Sequence, residues 1–356
     1  MKKSKLLLAS TLLLAGSLVS CGNNDNGGST PAPAEKEARV ALGYSISYEA
    51  LQYGAVKNLA AFDIAAVAFD TEGKILDCRF DSQQVYVGAV AEGEGYTFAA
   101  TTNVVDGYVK SKLELGKDYN MHLVNVVPGN VLSAAGEVDT QIERFADYCV
   151  GKTVNQVLAT EEVEGVTISF GMYQAALENA ALASRARNTF KYTGDLKVGV
   201  GISNASVGLS KEGNLEVSSH FAAAAVVDGK VAASFVDCGV IQLSVTPVVN
   251  GEKLQINALE TNKYLVNGKY TSKYDLHDAY AMKGTSAGIG AIEGGAEWDA
   301  QAASFDAYCA GKTANQIAAI EELTAANGVT MAVSDLVAAV SEAAKYAELD
   351  HVGPQW

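Results

Sequence analysis

The sequence predicts an α+β fold built from two tandem copies of a domain, each with antiparallel strands followed by C-terminal helices. Three patterns point there: a block of residues that recurs at a nearly constant offset, apolar segments flanking a Gly-containing turn early in each copy, and apolar residues at helical spacing near each end. The recurring block is clearest from Phe145 to Gln156 (FADYCVGKTVNQ), which returns as Phe305 to Gln316 (FDAYCAGKTANQ) at an offset of 160. Upstream, Ser111-Lys112-Leu113-Glu114-Leu115 matches Ser272-Lys273-Tyr274-Asp275-Leu276 at offset 161, and Gly165-Val166-Thr167 matches Gly328-Val329-Thr330 at offset 163.

Each copy opens with a hairpin signal. Residues 64–69 and 75–80 flank Asp70-Thr71-Glu72-Gly73-Lys74, and residues 222–227 and 231–236 flank Asp228-Gly229-Lys230. Helices follow. Val138, Ile142, Phe145 and Cys149 form one stripe over 137–150, and Gly151 is a left-handed stop. Thr153 with Gln156, and Thr313 with Gln316, read as capping boxes of a short helix. Alanine-rich terminal helices are expected over about 171–185 and 334–349. The expected organisation is a leader over 1–20, a tether over 21–37, repeat domains over 38–187 and 188–349, and a tail over 350–356.

The leader carries Lys2, Lys3 and Lys5, an apolar run from Leu6 to Leu14, and Leu18-Val19-Ser20-Cys21. Its apolar run is too short for a stable membrane span, and the pattern is that of a secretory signal. The last four residues resemble the lipobox of bacterial lipoproteins, which implies a diacylglyceryl group on the Cys21 thiol, export, and residence at the outer face of the cell membrane. The polar, Gly- and Pro-containing stretch after it would span roughly 20 Å as a flexible tether. A formal charge of −15, to which the leader contributes three positive charges, gives no electrostatic reason to bind nucleic acid or anionic lipid. No later stretch reaches the length of an apolar span, so the lipid is the expected anchor.

Catalytic and metal motifs find little support. Gly151-Lys152-Thr153 ends like a phosphate-binding loop, but Ala146 stands where its first glycine belongs and helix precedes it. The histidines at 122, 220, 277 and 351 are scattered, so no metal site is expected. The matched polar blocks offer Lys112, Glu114 and Tyr119, and Lys273, Asp275 and Tyr280, as a possible ligand cleft on each copy; surface ion pairs around a helical turn are the alternative. The glycines at 284, 288, 290, 294 and 295 precede a helix start at Glu297 but lack counterparts in the first copy. Cys78 and Cys149, like Cys238 and Cys309, lie 71 residues apart and would permit one disulfide per copy in an exported protein. Aligning the turns instead sets Cys78 opposite Ser234, which leaves buried free thiols as the other reading.

Lipobox, strand–turn–strand opening, and Gly-Val-Thr before an alanine-rich helix together resemble the FMN-binding domain of exported flavoproteins, which some Gram-positive lipoproteins carry twice in extracellular electron transfer. That resemblance implies FMN as cofactor, joined by a phosphoester to Thr167 and Thr330. Glu164 and Asn327 stand where the family has a hydroxyl residue, and Val166 and Val329 where it has alanine. The chain also looks like uncharacterised Firmicutes lipoproteins that share the Tyr-x-x-Gly-Lys-Thr helix turn. The expected function is non-enzymatic binding of an extracellular ligand or protein by a membrane-anchored pair of domains; the alternatives are an FMN-carrying redox lipoprotein and an adhesive or cell-wall spacer.

Overall fold

The computed structural model describes residues 33–53, 55–92, 95–121, 136–185, 188–246, 255–285 and 292–349. Cys21 with its leader, most of the tether, His122, Gly288, Gly290, His351 and the tail lie outside the described residues. The N-terminal half runs β1 (Lys36–Tyr53), β2 (Ala55–Phe69), β3 (Ile75–Glu92), β4 (Gly95–Ala100), β5 (Val104–Val105), β6 (Tyr108–Val109), α1 (Lys112–Leu115), α2 (Val138–Cys149), α3 (Val154–Leu158) and α4 (Gly171–Ala180). The C-terminal half runs β7 (Thr189–Tyr192), β8 (Leu196–Ile202), β9 (Ser206–Leu209), β10 (Leu215–Val227), β11 (Lys230–Thr246), β12 (Gln255–Ala258), β13 (Leu265–Val266), β14 (Lys269–Tyr270), α5 (Lys273–Leu276), α6 (Trp298–Cys309), α7 (Ala314–Ala318) and α8 (Ser334–Glu348). Every strand pairing is antiparallel, in the orders β4-β3-β2-β1-β7 and β12-β11-β10-β8, with β9 also on β10.

Alternation along the strands sets the layers. Ala41, Ala65, Val67, Cys78 and Phe80 leave one face of the first sheet to pack on α2 and α4, where Phe145 stacks 4.7 Å from Phe170 and lies 5.0 Å from Phe80. Leu42, Tyr44, Phe62 and Ile64 leave the other face and enter a core shared with Val217, Phe221 and Ile241 of the second sheet. The two halves therefore share one interior, and residues from Glu35 onward form one compact unit. Along the margins β3 lies beside β8 and β1 beside β11. The first strand begins at Lys36, two residues inside the expected tether.

Local signals explain the joints. In the first hairpin Asp70 Oδ1 accepts from the amides of Glu72 and Lys74 (2.9 and 2.8 Å); in the second, Asp228 and Gly229 turn with φ of 50° and 72°. Gly151 and Gly311 end α2 and α6 with positive φ, and each donates its amide to the start of β3 or β11, at Ile75 O and Val231 O (both 2.8 Å). The terminal helix of the N-terminal half stops at Ala180 rather than near 185; a 3-10 turn at Ala183–Arg185 follows it and carries Arg185 inward.

The terminal helices cross their sheets at glycines. A Cβ on Gly43 would stand 1.9 Å from Ala176 O, one on Gly201 2.1 Å from Ala339 O, and one on Gly199 1.8 Å from Ala343 O. Such distances forbid any side chain unless the helix lifts, and overpacking of this kind costs typically 1–3 kcal/mol. Gly201→Ala is accordingly expected to lower the unfolding free energy by about 2 kcal/mol in urea titration; a loss below about 0.5 kcal/mol would show that α8 does not bear on β8 here.

Candidate functional site

The two Ser-Lys-x-acid-Leu blocks fold alike. Each forms one helical turn, α1 or α5, capped by Ser111 or Ser272, whose Oγ accepts from the amide of Glu114 (3.2 Å) or Asp275 (3.3 Å). A buried aspartate anchors each turn from the third long strand of its sheet region: Asp81 Oδ1 accepts from Leu113 N, and Asp237 Oδ1 from Tyr274 N, both at 3.1 Å. Two residues apart on one turn, the lysine and the acid cannot share a direction.

Lys112 lies 5.6 Å from the Tyr119 ring and Lys273 5.7 Å from the Tyr280 ring. Burial lowers the Lys112 ammonium; it works the same way on Lys273, but the Cys238 sulfur and Tyr280 oxygen outweigh it and hold that ammonium above its ordinary range. His220 faces this second cluster, and burial, reinforced by Lys273, pushes its pKa down to about 3, so the imidazole is neutral and its 3.5 Å approach to Asp335 is no ion pair at neutral pH. The acids turn elsewhere: Glu114 accepts from Lys110 Nζ (2.7 Å) and Ser111 N (2.8 Å), and Asp275 from Tyr44 OH (2.6 Å). In both sets offered as a possible cleft, Lys112, Glu114 and Tyr119, and Lys273, Asp275 and Tyr280, the lysine lies by the tyrosine and the acid turns away from them. Of the six, only Glu114 borders any of the three cavities described.

Those acids instead reach the two margins where the sheets meet. At the β1–β11 margin Arg185 is fully buried; its guanidinium donates to Asp237 Oδ2 and, through Nε, to Asn179 Oδ1 (3.1 Å), and lies 3.7 Å from Asp275. The rings of Tyr44, Phe235 and Tyr274 surround it at 4.9, 5.1 and 5.3 Å. Asn179 Oδ1 also accepts the edge amide of Tyr44 (3.1 Å), so one α4 side chain both covers an open strand edge and holds the arginine. Burial, then Asp275, pushes the Tyr44 hydroxyl up to about 12.

At the β3–β8 margin the same positions carry different chemistry. Asp81 stands for Asp237, Glu114 for Asp275, and Glu342 of α8 for Asn179, with the Ile202 amide bonded to the Glu342 carboxylate as Tyr44 is to Asn179. Among the described residues no arginine lines it: α8 runs straight on to Glu348 where α4 breaks. A cavity of about 570 Å³ opens instead, lined by Lys110, Glu114, Ser341, Glu342, Lys345 and Tyr346 with Ala338 and Leu349. Burial, then Glu114 and Asp81, pushes the Glu342 carboxyl up to about 8, and burial pushes Asp81 up to about 7. A larger groove of about 810 Å³ follows β1 from Tyr44 to Tyr48 beside α4 and the β13–β14 hairpin.

Thr167 and Thr330 are also placed alike. Their hydroxyls donate to Oε1 of the buried Gln141 (3.0 Å) and Gln301 (3.2 Å), which accept their amides as well. These threonines tie a loop to α2 or α6, and neither borders a described cavity. A phosphoester oxygen committed to a buried glutamine does not fit the flavin attachment that the resemblance implies. Lys152 and Lys312 lie over the rings of Tyr148 and Tyr308 at 3.8 and 3.9 Å and donate to the same residues' carbonyls, so the Gly-Lys-Thr element is helix punctuation.

All four described cysteines are free and buried, so of the two readings left open it is the free thiols, not the possible bridges Cys78–Cys149 and Cys238–Cys309, that the structure contains. Cys78 neighbours Cys149 and donates to Ala146 O (3.4 Å), whereas its counterpart Ser234 donates to Asp306 Oδ1 (2.9 Å) at the position matching Ala146. These contacts follow the pairing of Cys78 with Ser234 that the turns suggest, whereas Cys238 lies beside Lys273. Among the described residues no group of His, Cys, Asp and Glu could hold a metal ion, and no helix is long and apolar enough to cross a membrane.

Arg185, Asp81, Asp237 and Glu342 escape a reading based on matched motifs, because the margins join elements from opposite halves. The turn alignment, which pairs Asp81 with Asp237, held the one available signal. No protein-family profile, curated protein or solved structure matches the chain.

Proposed function

We propose that the chain is an exported lipoprotein, held at the outer face of a membrane through Cys21, whose duplicated fold binds an extracellular ligand without transforming it. The observation that carries the binding reading is the 570 Å³ cavity at the β3–β8 margin, where polar side chains from α1 and α8 converge. Duplication is supported by contacts that repeat residue for residue: Gln141 with Thr167 and Gln301 with Thr330, Asp81 with Leu113 and Asp237 with Tyr274, Gly43 under Ala176 and Gly201 under Ala339. Anchoring is supported by the leader and its lipobox-like end.

The test uses the full chain expressed in a bacterium. It is expected to label with an alkyne fatty acid and partition into detergent, and Cys21→Ala is expected to abolish both. Native mass spectrometry of the extracted protein should show a non-covalent adduct that is recovered chemically unchanged after denaturation. Labelling that persists in Cys21→Ala, a covalent flavin mass on Thr167 or Thr330, or turnover of the adduct would overturn the reading.

A further inference from the structure

The two margins differ in the cation that meets their acids, a fully buried guanidinium at one and a lysine at a cavity rim at the other, and that difference identifies a ligand class. At the β1–β11 margin two carboxylates, Asp237 and Asp275, meet the buried guanidinium of Arg185, which three aromatic rings enclose. At the β3–β8 margin stand three carboxyl groups, Asp81, Glu114 and Glu342, and Lys110 is bonded to Glu114 from the cavity rim. Lys345 lines the same cavity but projects from the exposed face of α8. Arg79, the arginine nearest along β3, is turned to Glu143 (3.7 Å) and to the carbonyl of Leu349 (3.3 Å). The acceptors that hold an arginine in one half thus have counterparts in the other, around an open space with Tyr346 in its wall.

We propose that the β3–β8 cavity binds the guanidinium group of an extracellular ligand, such as an arginine side chain, between Glu114 and Glu342, in the place that Arg185 occupies at the other margin. A planar guanidinium can engage two carboxylates at once and stack on a tyrosine, which a spherical ammonium or a metal ion does less well. The proposal rests on the reading of the chain as a binding protein and names what it takes. Binding is linked to protons: the groups facing the cavity are Glu114, Glu342 and Tyr346, with Asp81 behind them and Lys110 and Lys345 at the rim, and a cation entering here favours the ionised carboxylates. Affinity therefore rises between pH 6 and 9, a range set by the raised values of Asp81 and Glu342.

The experiment titrates the full chain in detergent with methylguanidinium, with methylurea as its uncharged counterpart and calcium chloride as an inorganic cation, read by calorimetry and by ligand-observed NMR. The expected result is one site for methylguanidinium, at least tenfold weaker binding of methylurea, release of protons on binding, and at least a tenfold loss in both Glu342→Gln and Glu114→Gln. Glu216→Gln, on β10, should bind as the parent does and controls for charge removal alone. Equal binding of methylurea, a site taken by calcium alone, or affinity unchanged in both margin variants would overturn the proposal. Should methylguanidinium fail while the extracted protein still carries its non-covalent adduct, only the ligand class falls; should both fail, the binding reading falls with it.

Discussion

Replacing Arg185 with methionine is expected to lower the unfolding free energy by about 3–5 kcal/mol, the usual cost of removing one partner from a fully buried ion pair. Asp237 would keep its bonds from the amides of Tyr274 and Cys238 but lose the guanidinium that faces it inside the core. The pair is no surface ornament, since both side chains are completely inaccessible. Burial raises the Asp237 pKa and Arg185 works against that rise, so loss of the arginine should raise it further. Arg185→Lys is expected to recover little, because an ammonium cannot reach Asn179 and Asp237 together or lie flat among Tyr44, Phe235 and Tyr274. The double variant Arg185→Met with Asp237→Asn should lose less than the sum of the singles, a coupling of roughly 2 kcal/mol measurable by a double-mutant cycle in urea. A loss below about 1 kcal/mol for Arg185→Met would mean that the margin tolerates an unpaired acid.

How far the sequence reveals this architecture depends on the range of the contacts. The Asp-Gly-Lys turns, the glycine stops at 151 and 311 and the Thr–Gln caps are local, each needing only four or five neighbouring residues, and the structure places them as the pattern predicts. Two further hairpins, over 104–109 and 265–270, turn on Asp106-Gly107 and Asn267-Gly268 with positive φ at all four residues, a signal that is equally local. Sheet assembly is another matter. Antiparallel strands before helices were legible, but periodicity could not say that both sheets bury a face in one shared core, because an inward Leu42 and a helix-facing Ala41 look alike in sequence. The surroundings of the possible cleft residues were illegible for a related reason: a one-turn helix sends Lys112 and Glu114 to different sides, and only the structure supplies the α8 residues that complete the margin on the acid's side.

Stability should fall as pH rises through the range where the β3–β8 carboxyls ionise. Asp81 and Glu342 stand at about 7 and about 8 in the folded chain, against roughly 4 in an unfolded one. Because the folded values are the higher ones, the fold binds more protons than the unfolded chain between these limits. The stabilisation is then fully present below pH 4 and is lost progressively up to pH 8. A tenfold difference in acidity between the two states corresponds to about 1.4 kcal/mol, and since the two groups sense each other and Glu114, a combined loss on the order of 3 kcal/mol between pH 5 and 9 is the reasonable expectation. Asp63 and Glu143 are raised in the same direction by burial, so the slope alone does not identify its source. Glu342→Gln does. Glutamine keeps an oxygen for the Ile202 amide while removing the proton equilibrium, so this variant should gain about 1–2 kcal/mol over the parent at pH 9, with little difference at pH 5. Urea midpoints measured across that range decide the matter: curves for parent and variant that stay parallel would place the titrating charge somewhere other than this margin.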